Sequence, residues 1–307
     1  GYRLINMTDN TSSKRGEISN NTIYAQEHQT AIYVDGCYCD IENNYLNGYE
    51  NTPDGWSHEY YAIWLEGSGC NIRNNEVIGF GYGINADGSS NQDHEITDNY
   101  FEIRGHGLQC NDSRGEHLIE NNVFKRYGTD WSDQWLIYYS NTESVTLQNN
   151  HFEATVGKGL YFNNTGVTMN NNLLIAPGRG LELTNQAGGT IMNNTMISTG
   201  NGDYGITVSN LSTPIIRNNI LQGYNTGMQI DNDLMNTNVS HNALWNISTD
   251  QYTGTAIAPL IGEAISFNAN SDTSDVYGNL YMDPLFVDAD SMDFNLQASS
   301  PCINSGS

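Results

Sequence analysis

The chain has 307 residues and a mass of 34.0 kDa, is 37% hydrophobic, and carries 11 basic against 35 acidic groups for a formal net charge of −24. That length supports one sizeable core or two small ones; a field this negative repels a nucleic-acid backbone, and no run approaches the roughly 18 apolar residues a membrane-spanning helix needs. Asn is in excess, with 43 residues beside 31 Gly and 19 Tyr against three Lys, while 10% aromatics argue for a packed chain rather than disorder.

The sequence opens at Gly1 inside a strand-like segment, with no charged and apolar leader and no amphipathic helix before it, so the first strand is expected to leave an uncapped end. From there a two-Asn signature, apolar-x-Asn-Asn-x-apolar, recurs along the chain: ISNNTI, IENNYL, IRNNEV, ITDNYF, IENNVF, LQNNHF, MNNNLL, IMNNTM, IRNNIL and VSHNAL. The second Asn of each falls at 21, 44, 75, 99, 122, 150, 172, 194, 219 and 242, giving steps of 23, 31, 24, 23, 28, 22, 22, 25 and 23. Between these turns lie short period-two segments that start at a small residue, such as AIYVDG, AIWLEG, GINADG, GLYFNN and GITVSN. Two or three strands in about 23 residues, with no helical periodicity, describe a coil that rises by one strand spacing, ~4.8 Å, per repeat. The fold class is therefore all-β: a single-stranded parallel β-helix of about 10–11 coils with an Asn ladder. The Asn column has two physical uses, tolerance of left-handed backbone angles at a tight turn and amide hydrogen bonding between coils. Residues 1–307 read as one domain, regular over 1–242 and irregular over 243–307, where the step to the GNLYM turn is 37.

In these Asn turns, and in the closing run DPLFVDADSMDFNLQASSPCINSG at 283–306, the sequence resembles the right-handed parallel β-helix proteins of the pectate-lyase-like superfamily. The resemblance implies that the Asn turn joins the second and third strands of a coil and that sugar binds on the outer face of the first strand. It also implies a secreted or cell-surface protein. Fold alone assigns no activity, because the superfamily spans lyases, hydrolases, epimerases and surface proteins. The long steps come from insertions ahead of first strands, YENTPDGWSHEYY at 49–61 and YGTDWSDQW at 127–135, both aromatic and acidic.

Alternation along each first strand defines two outward columns. The first is Arg3, Tyr33, Trp64, Asn85, Gln109, Tyr138, Tyr161, Glu182, Thr207 and Gln229. Its rings and amides suit a sugar platform, with Trp56, His58, Trp131 and Trp135 of the insertions as walls and Asp54, Glu59, Asp130 and Asp133 as nearby carboxylates. The opposing reading is a ring column that only stacks coil on coil. The second column is Ile5, Asp35, Glu66, Asp87, Asn111, Ser140, Asn163, Thr184, Ser209 and Asp231. Three carboxylates at ~5 Å spacing repel, so Asp35, Glu66 and Asp87 are the candidate catalytic acids of a glycosidase, or alternatively the ligands of a calcium ion. A solvated acidic strip is the plain alternative. For a lyase, Arg104, His106, Lys125, Arg126 and Tyr138 would be the base and charge neutraliser, although the negative field disfavours a polyuronate.

Two motifs carry less. GHG at 105–107 is similar to a short motif of polygalacturonases, but Gly107 falls where the repeat places a glycine anyway, and that family's paired Asp and basic tripeptide motifs are not found in register. Cys39, Cys70, His94 and His117 form a column in phase with Ile41, Ile72, Ile96 and Ile119, hence inward, and span ~14 Å, too far for one tetrahedral zinc. Cys39 and Cys70 are one coil apart and are a candidate disulfide. The functional expectation is an extracellular polysaccharide-cleaving hydrolase or lyase; the alternative is a non-catalytic surface or filament-forming protein that stacks end to end.

Overall fold

A computed structural model describes residues 2–8, 15–25, 29–48, 60–66, 69–87, 93–128, 133–200, 202–231 and 238–306. Three parallel sheets of 11, 10 and 10 strands run along the molecule, each strand paired with its counterparts in the coils before and after. Ten three-strand coils are followed by one further first strand, Asp250–Thr253. Among the described residues there is no α-helix, only a 3-10 turn at Ala289–Ser291. The expected parallel β-helix with an Asn ladder is what forms.

The two Asn residues of each turn divide the work between them. The first takes the left-handed conformation, with φ of 55 to 58° at Asn20, Asn43, Asn74, Asn121, Asn149, Asn171, Asn193 and Asn218, and with Asp98 and His241 in the same role. The second points inward and builds the ladder. In each coil its backbone N–H and its Nδ2 both donate to the Oδ1 of the next Asn at 2.9 to 3.1 Å, in an unbroken run from Asn21 through Asn122 and Asn150 to Asn242 and Asn279. Buried donors and acceptors are thus paired without a strand.

A second left-handed corner joins the first and second sheets, at Asp112, Asn141, Asn164, Asn185 and Asn210 with φ of 48 to 55°. Its amides also reach between coils, Asn141 Nδ2 to Asp112 Oδ1 at 3.0 Å and Asn164 Nδ2 to Asn141 Oδ1 at 3.2 Å. The sequence signal was the Asn that closes the later first-strand segments, as in GLYFNN and GITVSN.

The core is one column of in-register apolar side chains per inward position, Ile32 through Ile63, Ile84 and Leu108 on the first sheet and Phe101, Phe124 and Phe152 on the third, all fully buried. Phe101 and Phe124 stack at 4.7 Å with planes 4° apart. The small residue that opens most first strands is required by the approach of the next coil: a methyl on Gly83 would run into the Gly107 carbonyl oxygen, and one on Gly180 would lie 2.5 Å from that of Gly205. Because backbone cannot yield as a side-chain end can, Gly83→Ala is expected to lower stability by about 1–3 kcal/mol, read from the urea midpoint; an unchanged midpoint would contradict this packing.

The Cys and His column is buried, as its phase requires. The proposed Cys39–Cys70 bridge is not formed, since both are free thiols. Their strands pair Cys39 directly with Cys70, which holds the two Cβ vectors parallel at about the strand spacing of 4.8 Å, wider than the ~3.8 Å a disulfide prefers. Beyond the last coil, Tyr252, Ala256, Ile261 and Tyr281 pack onto the end of the core. The hairpin of Phe286–Asp288 and Asp293–Leu296 lays Phe286, Phe294 and Leu296 against Ile175 and Ile197 on the outer face of the third sheet.

Candidate functional site

Both outward columns of the first sheet exist in register. Tyr33, Trp64, Asn85, Gln109, Tyr138, Tyr161, Glu182, Thr207 and Gln229 pair successively, and so do Asp35, Glu66, Asp87, Asn111, Ser140, Asn163 and Thr184. The first coil departs from expectation. Asn6 pairs with Tyr33 and Thr8 with Asp35, so Arg3 and Ile5 are not members of the columns. The segment Tyr2–Thr8 offers two apolar phases. Placing Ile5 and Met7 against the core buries two apolar side chains and leaves only Leu4 exposed.

A third outward column was missed: Tyr61 pairs with Tyr82, and Trp135 with Lys158. Together with the first column it forms a belt of rings. Tyr61 and Tyr82 stack at 4.9 Å, Tyr82 and His106 at 5.7 Å, and Tyr138 and Tyr161 at 5.0 Å, with planes within 25° of parallel. His106 meets Tyr138 at 5.7 Å and Trp135 meets Tyr161 at 5.3 Å. At the belt's start the Arg3 guanidinium lies 3.1 Å from the Tyr33 ring centre, and Tyr33 meets Trp64 edge-on at 5.8 Å. The stacked pairs among these rings turn their faces to one another from coil to coil.

The three carboxylates sit on successive coils, Asp35 beside Glu66 and Glu66 beside Asp87. Tyr33 donates its hydroxyl to Glu66 Oε2 at 2.5 Å. Burial, then the hydrogen bond to Glu66, pushes the Tyr33 phenol up to about 12, so it remains a donor. Asp87 is oriented by two amides, Asn85 Nδ2 to Oδ2 at 2.8 Å and Asn111 Nδ2 to Oδ1 at 3.2 Å. Calcium would need six or more oxygens turned to one point; among the described residues no three His, Cys, Asp or Glu side chains converge to hold a metal ion.

One coil further, His106, Gln109, Asn111, Asp133, Gln134, Trp135 and Tyr138 line a cleft of about 320 Å³, within the range of small-ligand sites. The Gln109 amide and the Tyr138 hydroxyl face this cleft with no hydrogen bond to another side chain or to backbone among the described residues, and Gln134 Oε1 is buried without a partner. His106 Nδ1 lies 2.5 Å from the Trp135 carbonyl, so that nitrogen carries the proton and donates, while Nε2 keeps its lone pair. Burial holds His106 down at about 4, which keeps it neutral near neutral pH. The Asn111 bond to Asp87 joins cleft and carboxylates into one surface.

Of the other candidates, Lys125 lies on the outer face of the third sheet, bonded to Glu153 at 3.0 Å. Arg126 is buried and donates from Nη1 to the Gln134 carbonyl at 2.9 Å, bracing the cleft wall. Arg104 lies 5.8 Å from the Tyr127 ring. Trp56, His58 and Trp131, with Asp54, Glu59 and Asp130, lie outside the described residues.

Residues 61–202 match the family model described as a right handed beta helix region, a stretch that includes the cleft, Glu66 and Asp87. No curated protein and no solved structure matches the chain.

Proposed function

We propose that the protein binds a polysaccharide along the outer face of the first sheet and hydrolyses it, with Glu66 and Asp87 as the paired carboxylates and Asp35 as their neighbour one coil away. The observation that carries this reading is the union of the two features: adjacent outward carboxylates beside an open cleft whose amide and hydroxyl groups are uncommitted. Sugar hydroxyls are both donors and acceptors, and the Gln109 amide, the Tyr138 hydroxyl and Gln134 Oε1 supply the complements. Carboxylates one coil apart, near 5 Å, suit a retaining displacement, in which one attacks the anomeric carbon and the other protonates the departing oxygen and then activates water. Asp87, held by two amides, is assigned the attack, and Glu66 the proton transfer. The pectate-lyase-like resemblance supports an extracellular setting and this face. A lyase is less favoured, because the carboxylate column and the net charge of −24 repel a polyuronate.

The second reading, a non-catalytic stiff spacer, is favoured by the ring belt, whose faces are used between coils rather than held open. Incubation with neutral, amino and uronate glycans, with and without chelator, separates the two. New reducing ends without unsaturated products are expected, with chelator ineffective. Glu66→Gln and Asp87→Asn should each lower turnover by about 10²-fold or more while thermal unfolding is unchanged; turnover unaffected in both variants, or absent from the native protein on every glycan, would favour the spacer.

A further inference from the structure

We propose, building on the polysaccharide-hydrolase reading, that the glycan is cationic: an amine-bearing sugar whose ammonium group is taken by Asp87 and the side-chain oxygen of Asn85. The acidic column alone would be a solvated strip. What distinguishes this place is Asn85, which is 1% exposed, spends its Nδ2 on Asp87 at 2.8 Å, and leaves Oδ1 buried with no partner. An orphaned acceptor beside carboxylates means that a donor, and preferably a positive one, is the missing complement.

The strand neighbour of Asn85 is Trp64, whose Nε1–H is also buried without a partner. A donor and an acceptor in adjacent coils, bonded neither to each other nor to anything else, match an amine with a hydroxyl on the neighbouring carbon: the ammonium gives its hydrogens to Asn85 Oδ1 and Asp87, and the hydroxyl oxygen accepts from Trp64. The aromatic belt also tolerates positive charge, since the Arg3 guanidinium lies against Tyr33 and within 6.0 Å of the Trp64 ring. A carboxylated sugar would meet Asp35, Glu66 and Asp87 with like charge, and an N-acetyl group would replace the ammonium with a bulkier neutral amide.

Calorimetric titration with short glucosamine oligomers, their N-acetylated counterparts and galacturonate oligomers of equal length tests this. Glucosamine oligomers are expected to bind about tenfold or more tightly than the acetylated ones. That ratio should shrink as salt is raised and as the pH passes the amine's own pKa. Asn85→Leu should bring it close to one without weakening the acetylated ligand. If Asn85→Leu fails to fold, Asp87→Asn, at a more exposed position, should abolish the preference in the same way. Acetylated or galacturonate oligomers binding as well as the amine, or a preference that survives Asp87→Asn, would overturn the inference while leaving a glycan site in place. Absence of binding by every oligomer would overturn the inference, and the hydrolase reading with it only if the neutral glycans also go uncleaved.

Discussion

Acidification from pH 7 to about 5 is expected to destabilise the fold steeply, through imidazoles the core holds neutral. His94 and His117 sit in the inward column, 4% and 3% exposed, with rings 4.8 Å apart. His94 Nδ1 accepts from the Cys70 N–H at 3.2 Å, and His117 Nδ1 accepts from the Tyr139 hydroxyl at 3.2 Å while Nε2–H donates to Ser113 Oγ at 3.0 Å. A second proton would have to enter His94 at the nitrogen that now accepts from the Cys70 N–H, and at His117 it would force the Tyr139 hydroxyl to turn from donor to acceptor. Burial lowers His94 from 6.5 to about 4, and burial together with the His94 charge lowers His117 well below 6.5. His106 moves the same way, also through burial.

The sign follows from which state binds the proton. Below 6.5 the unfolded chain takes up protons that the folded chain refuses until about 4, so stability is complete above that upper value and is lost as the pH falls toward the lower one. For His94 alone the loss approaches roughly 3 kcal/mol. Between about pH 6.5 and 5 the buried imidazoles are the groups whose proton uptake differs between the unfolded and the folded chain. Urea midpoints across that window should fall with pH. His94→Gln, which can still accept from Cys70, should flatten the slope by up to about 1.4 kcal/mol per pH unit. A flat native profile, or an unchanged slope in the variant, would mean that these rings do not control acid stability.

The same column illustrates what was legible in the sequence. Its phase against Ile41, Ile72 and Ile96 was enough to place it inside. The Asn spacing fixed the outward columns correctly from Tyr33 to Gln229, since insertions of any length ahead of a strand leave the register within it untouched. The first strand was misplaced because no Asn turn precedes it and Tyr2–Thr8 has two apolar phases. Tyr61 and Tyr82 were missed, and His106 was read only as a candidate base, because all three stand three residues before Trp64, Asn85 and Gln109, across the small residue that opens each strand, where strict alternation fails. Their mutual stacking depends on ring orientation, which spacing does not encode. The orphaned Asn85 oxygen is likewise a property of packing, invisible beside the many paired amides of this chain.

Removing Asp275 is expected to cost about as much as breaking the Asn ladder in its middle. The ladder is directional: every rung donates toward the C-terminal end, so its last donors need an acceptor that is not another rung. Asp275, 1% exposed, supplies it, taking the Asn279 N–H at 2.9 Å and Asn279 Nδ2 at 3.0 and 3.3 Å. The Tyr277 N–H at 2.9 Å, the Gly262 N–H at 3.1 Å and the Tyr281 hydroxyl at 2.6 Å complete its shell. A carboxylate facing the positive ends of aligned amide dipoles is favoured in the way an anion is at a helix N-terminus. Its presence also pushes the Tyr281 phenol up, after burial. Asp275→Ala strands several buried donors at once and should lose about 4 kcal/mol, close to the loss in Asn122→Ala, which orphans the amide groups of Asn99 in the same way. Asp275→Asn keeps one oxygen but turns an NH₂ toward donors, and should lose about 2 kcal/mol. Hydrogen exchange distinguishes the sites: Asp275→Ala should release the amides of Asn242 and Asn279 first, and Asn122→Ala those of Asn99. Protection unchanged at Asn279 in Asp275→Ala would show that the ladder ends without its help.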